Sequence, residues 1–197
     1  TVATLGVGLG AVLMFGVLAW SFERTLTTAT TSRVRSDLVI SSPFVSGGYR
    51  GAPLAGSLVD ELAATTGVRF AVGVQESDLQ YGDGSVVVYG YDPVCFRDTS
   101  VCDWNLRQGA LPSALERVID GSAVVVSGSF AHHEHARPGD VIRLASPTGS
   151  MVVAVAGVTD AEVVNSVIMN RDVYRSHWND SLLSWVWVTL RPGHSLG

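Results

Sequence analysis

The chain has no lysine: all thirteen of its cationic side chains are arginine. Without lysine there is no Walker A loop to cradle ATP phosphates and no amine for Schiff-base chemistry, so any ATP the protein depends on is hydrolysed elsewhere. Charge of either sign is scarce, at 16% of 197 residues with a net of -5, and no basic stripe exists that would neutralise nucleic-acid phosphates. Cysteine is limited to Cys95 and Cys102, too few for a disulfide-built scaffold, and repeats and low-complexity tracts are lacking. The length suits one sizeable domain, or two small ones sharing a core.

Residues 1–22 (TVATLGVGLGAVLMFGVLAWSF) contain no charged residue and are long enough to cross a hydrocarbon core of about 30 Å. A signal peptide and a buried core helix compete with this reading. No basic segment precedes the run, no small-residue cleavage site follows it, and Trp20 and Phe22 lie where an interfacial aromatic belt belongs. A membrane span is therefore expected, with Thr1 to Trp20 as anchor. Gly6 and Gly10 form a weak GxxxG sign of close helix contact. GVGLG imitates part of a dinucleotide loop but lacks the βαβ context that loop needs. The chain opens inside hydrophobic sequence, which suggests a piece of a longer membrane protein. Arg24, Arg33 and Arg35 on the following flank would by themselves place that flank in the cytoplasm.

Beyond the apolar run, residues 23–36 keep small or apolar side chains near helical spacing and read as a stalk. A short strand is expected at Asp37 to Ser41, then a flexible SGGYRGAP loop. Leu54, Leu58 and Leu62 recur every four residues, predicting an amphipathic helix from Pro53 to Thr65 stopped by Gly67. Strands are predicted at Val68 to Val74 and Ser85 to Tyr91 around a tight Asp83-Gly84 turn, and at Ala123 to Ser127, Val141 to Ser146, Met151 to Val158, Ser166 to Met169 and Trp185 to Leu190. Short helices fit Pro112 to Ile119 and, after an Asn170 N-cap, Arg171 to His177. This order implies an α+β domain whose middle is a separate β-rich insertion.

The motifs GAPLAGSLVDELAATTGV, VVVYGYDP, AVVVSGSFAHHEHARPGDVIRLASPTG and SVIMNRDVYRSHW occur in that order after the first apolar helix. Together they resemble the extracytoplasmic core domain of FtsX-like ABC transporter permeases, the MacB-type periplasmic core domain. The resemblance covers essentially the whole chain and lies in the order of several weak motifs. It implies a mixed α/β porter part with an inserted β-rich part, called Sabre, preceded by a transmembrane helix. The boundaries it suggests are 1–22 for the span, 23–36 for the stalk, 37–92 for the porter part, 93–160 for the Sabre-like insertion and 161–197 for the return to the porter part. A further helix and strand are expected after Leu190, followed by a second span. It also implies a noncatalytic domain without cofactor or metal, a cytoplasmic ABC ATPase as partner, and the arginine-bearing flank outside the cell membrane. Such permeases export lipoproteins, peptides or antibiotics, or transmit force to cell-wall enzymes. A second permease copy or an extracytoplasmic protein is a further candidate partner. The competing reading is a ligand-binding ectodomain of a membrane sensor, and a secreted or anchored enzyme is a third.

Several residues are singled out on this basis. Gly90, Asp92, Pro138, Gly139 and Asp140 are expected to shape the turns between the porter and Sabre parts. Cys95 and Cys102 close the loop CFRDTSVC and, outside the membrane, read as a disulfide, against two free thiols or half of a metal site. Trp185 and Trp187 alternate along one strand face as candidate partner contacts, with burial under the porter helices as the other reading. His132, His133, Glu134 and His135 crowd four positions. His132 and His135 share a zinc-compatible spacing, but no third ligand follows and the HExxH pattern is missing, so a solvated or pH-sensing cluster is the expectation. Ser127 and Ser129 stand near these histidines without a GxSxG elbow, and catalysis is not expected of them. The sequon Asn179-Asp180-Ser181 is taken as chance.

Overall fold

A computed structural model describes residues 13–18, 20–21, 36–42, 52–160 and 164–193. By internal contacts the chain divides into Thr1–Ser32 and Arg33–Gly197. In the first unit, residues 13–18 and 20–21 are helical, and Leu13, Met14, Phe15, Val17, Leu18 and Trp20 are exposed. Among the described residues no helix is long and apolar enough to cross a membrane. The expected span over 1–22 and stalk over 23–36 fall largely outside the described residues.

Among the described residues of the second unit, nine strands form one sheet: β1 (Leu38–Ser41), β2 (Val68–Tyr81), β3 (Gly84–Tyr91), β4 (Leu106–Gln108), β5 (Ala123–Ser127), β6 (Val141–Ser146), β7 (Gly149–Thr159), β8 (Ser166–Asn170) and β9 (Trp185–Leu190). Their order is β1-β9-β2-β3-β8-β5-β7-β4, and β6 pairs separately with β7. Also among the described residues, five short helices lie against it: α1 (Leu58–Ala63), α2 (Val94–Arg97), α3 (Ser113–Ile119), α4 (Gly128–His133) and α5 (Arg171–Trp178). This is a mixed α/β fold in which the segment between β3 and β8 supplies a β-rich stretch. β3 and β8 run parallel, as do β5 and β7, and the other pairings are antiparallel.

The period-two alternation of valine-rich strands sorts side chains onto two faces. Val86 and Val88 of β3, Val124 and Val126 of β5, and Val167 and Met169 of β8 enter one core with Phe130 and Tyr174. Tyr91, Ala123, Val125 and Ile168 point the other way, into a core with Phe96, Trp104, Leu115 and Val118. β8 is buried at all five positions, as expected for a strand covered on both faces. A third cluster seats α1 on β9 and the start of β2, through Leu58, Val59 and Leu62 against Ala71, Val186 and Val188.

The structure departs from the sequence expectation in four places. The helix expected from Pro53 covers only Leu58–Ala63. Leu54 instead bridges to Leu183, donating at 2.8 Å and accepting at 2.9 Å. Gly56, in the turn between that bridge and the helix, lies so close to the Ser181 carbonyl that a Cβ would collide with it. The β2-β3 turn sits one residue earlier than Asp83-Gly84: Tyr81 pairs with Gly84, and Gly82 takes φ +56 at the first turn position, where a II′ hairpin favours glycine. β2 runs on through Tyr81, seven residues past the predicted end at Val74. Finally, α2 and β4 occupy a region read as loop.

Candidate functional site

The end of β3 is assembled around two glycines and a buried ion pair. Gly90 brings α5 close to the strand, since a Cβ there would lie 2.9 Å from Tyr174 Cβ and 3.0 Å from its Cγ. Tyr174 in turn stacks on Trp178 at 4.7 Å. Asn170 starts α5 by accepting from Asp172 N at 2.9 Å, and its Nδ2 donates to the Ile119 carbonyl at 2.8 Å. The first residue of the helix is Arg171, which donates from Nη1 to Asp92 Oδ1 at 2.8 Å. The other carboxylate oxygen of Asp92 accepts from Gly73 N at 2.6 Å. The two side chains are 14% and 7% exposed, so removing either charge strands the other away from water. Arg171 Nε is buried without a hydrogen-bond partner.

Above this pair a cleft of about 540 Å³ opens between α1, α2 and α5. Arg97, Arg171 and Arg175 face Asp60, Asp92 and Asp172 around it, so its charges balance and it favours neither cations nor anions. Sequence reasoning found Gly90 and Asp92 but missed Arg171, Gly73 and Tyr174. One signal was available: a cation in the first turn of a helix opposes the helix dipole and calls for a nearby carboxylate.

Beside the pair, Cys95 and Cys102 are joined by a disulfide, both fully buried, with Cα atoms 5.0 Å apart. The loop they close is packed from within. Trp104 donates from Nε1 to the Cys95 carbonyl at 2.7 Å, and Phe96 stacks on Trp104 at 4.9 Å. Tyr91 meets both rings edge-on and stacks on Trp187 at 5.6 Å. Trp187 and Trp185 touch at 5.9 Å, and Trp185 also meets Tyr89. Both tryptophans are therefore partly buried against the aromatic core, and only part of each ring is open to solvent. Asp98, inside the same loop, is held below its ordinary pKa by the side chain and backbone N–H of Ser100. Ser122 acts in the same way on Asp120.

Pro138, Gly139 and Asp140 lie on a different element, the turn into β6. Asp140 accepts from Arg137 N at 2.8 Å, and Gly139 (φ +100) donates from its N–H to the Val155 carbonyl at 2.9 Å. Val155 N returns a bond to the Asp140 carbonyl at 2.8 Å, so the turn clamps the start of β6 onto β7. Just before it, α4 ends at His133, Glu134 caps it, and His135 takes φ 53. His132 and His135 thereby line one hollow with Arg107 and Arg137. Ser127 Oγ is engaged elsewhere, accepting from Phe130 N at 3.1 Å and Ser166 N at 2.9 Å. Among the described residues no group of three or more histidine, cysteine or acidic side chains is placed to hold a metal.

The model of the MacB-like periplasmic core domain family matches residues 1–197. No curated protein matches the chain. Among solved structures, the chain is similar to the extracellular domain of the noncanonic ABC-type transporter YknZ from Gram-positive bacteria. There the identity is 14%, coverage 79% of this chain and 83% of that one, and the TM-score 0.57. It is likewise similar to the periplasmic region of MacB from Actinobacillus actinomycetemcomitans, at 15% identity, 80% and 75% coverage and TM-score 0.55. A domain of a putative permease protein from Porphyromonas gingivalis matches at 18% identity, 73% and 65% coverage and TM-score 0.50. Identities of this size speak for the fold alone.

Proposed function

The chain belongs to the MacB-like periplasmic core domain family, and from that premise we propose that it is the noncatalytic extracytoplasmic domain of an ABC transporter permease, coupling ATP-driven motion to export or to cell-envelope signalling. The observation that carries this reading is the family match over all 197 residues. The lack of lysine agrees with it, because ATP chemistry then belongs to a cytoplasmic ABC ATPase. In this proposal residues 1–22 span the cell membrane and 23–36 form a stalk. Residues 37–92 and 161–197 make the porter part, 93–160 the Sabre-like insertion, and the bulk of the chain lies outside the membrane. A single sheet from β1 to β4 suits a domain that moves as one body, since its strands are hydrogen-bonded throughout. Trp185 and Trp187, partly open on β9, are the proposed contact with a second permease copy or an extracytoplasmic protein.

The test has two arms. The isolated chain neither binds nor hydrolyses ATP, whereas the whole permease reconstituted with its ATPase hydrolyses it in membranes. Engineered cysteines that tether the domain to its extracytoplasmic surroundings lower transport or signalling when oxidised and restore it when reduced. Turnover of a substrate by the isolated chain, or full output from the tethered complex, defeats the reading.

A further inference from the structure

The coupling role leaves the histidine cluster unused. The structure gathers His132 and His135 with Arg107 and Arg137 around a hollow of about 230 Å³ at the end of β4 and α4. These side chains come from three segments. Arg107 is on β4, His132 on α4, and Arg137 in the turn before β6, while His135 is turned back toward the same hollow by its left-handed backbone, with Ala136 N bonded to the Ala131 carbonyl at 3.1 Å. Among the described residues no carboxylate belongs to the lining, although Asp160 Oδ1 lies against Gly128 at its edge. We propose that it is a binding site for a tetrahedral oxyanion, a phosphate or sulfate group, gripped most strongly when His132 and His135 are protonated.

The surrounding charges define the balance. Asp160 approaches Arg107 at 3.7 Å, with both side chains more than half exposed, at 65% and 60% for Arg107 and Asp160 respectively. In such an exposed pair the arginine is free to turn to a dianion at little cost. Asp140 accepts from Arg137 N within the same turn and keeps its negative charge there. Glu134 acts on the Tyr81 phenol. His133 meets His132 edge-on at 5.8 Å and lies outside the lining. Arg107 and Arg137 line the hollow while the carboxylates of Asp160, Asp140 and Glu134 stand around it, so protonation of both imidazoles is what tips the site positive. Histidine is the side chain whose charge changes between pH 5 and 8, so the site's affinity follows pH over that interval. Guanidinium forks supply paired donors that match oxyanion geometry.

The experiment titrates the tag-free full chain in mild detergent with sulfate, which stays a dianion throughout, at pH 5.5 and 8.0 and constant ionic strength, read by calorimetry and by histidine ring NMR shifts. Two added positive charges within about 4–5 Å of a dianion in a water-exposed site predict binding roughly thirtyfold tighter or more at pH 5.5, salt screening included. Replacing both lining histidines (H132Q with H135Q) abolishes the pH dependence while leaving residual binding. R107Q with R137Q weakens binding at both pH values, and H133Q changes nothing. All of these side chains are exposed, and unchanged tryptophan fluorescence checks that the variants fold. Competition by inorganic phosphate and by glycerol phosphate then names the source, a free anion if the first competes better and an esterified headgroup if the second does. Sulfate affinity indifferent to pH or to these substitutions means an adventitious ion only, and overturns the proposal.

Discussion

Replacing Arg171 by methionine removes the cation from Asp92 while keeping most of the side-chain volume. Breaking a buried ion pair from one side typically costs about 3–5 kcal/mol, because the remaining charge has lost both water and partner. Two features of the structure place the expected loss below that range. Asp92 retains its bond from Gly73 N and is 14% exposed, and the substitution also removes Arg171 Nε, a buried N–H with no partner. A loss of about 2–3 kcal/mol follows, or a fall in Tm of roughly 4–12 °C for a chain of this size. Asn at position 92 keeps an oxygen for Gly73 N but carries no charge, so D92N with R171M leaves no stranded ion. The double variant is expected to recover about 1 kcal/mol or more relative to the sum of the two single losses. The assay is urea unfolding of the full chain in mild detergent, followed by tryptophan fluorescence with m-values compared. An R171M loss under about 0.5 kcal/mol, or strict additivity in the cycle, refutes the account of this pair.

Three further outcomes are expected. Gly90→Ala pushes a methyl against the Cβ and Cγ of Tyr174, atoms at the root of a helix side chain that cannot swing aside, and destabilises by about 1–3 kcal/mol in the same assay. Unreduced protein takes up no alkylating label at Cys95 and Cys102, and replacing both by serine lowers stability by about 2–3 kcal/mol, as closing a loop of this length predicts. Burial, aided by the Glu134 carboxylate, pushes the Tyr81 phenol above its ordinary value of 10.0 despite an opposing bond with the Arg143 backbone. Above about pH 10 the unfolded chain therefore ionises first and stability falls as pH rises toward the folded pKa, a decline that Tyr81→Phe flattens in unfolding measurements across roughly pH 9 to 11.

Local chemistry made much of the sheet legible. The valine runs of β3, β5 and β7, the apolar Val-Ile-Met of β8 and the alternation of β9 are strand signals that hold wherever a face is buried, and Asn170 marked the start of α5. The second half of β2, Gln75-Glu76-Ser77-Asp78, was not legible, because pairing with β3 rather than apolar periodicity keeps it extended. Leu54 carried the right spacing for a helix, yet its bridge to Leu183 depends on a residue 129 positions later. The ion pair has the same character. Asp92 stood out within the VVVYGYDP motif, but its partner is 79 residues away and only the parallel β3-β8 pairing brings the two together. The histidine cluster was visible as a motif with Arg137 two residues beyond it, whereas Arg107 joins two of its members only through the fold.

The central claim, that this domain transmits ATP-driven motion and performs no chemistry, is tested most directly by deleting residues 36–193 from the complete permease. Reconstituted with its ATPase in membranes, the shortened complex is assayed for ATP hydrolysis and for transport or signalling output side by side. The account predicts that ATP hydrolysis continues while output is lost. Output that persists at the level of the intact complex contradicts it.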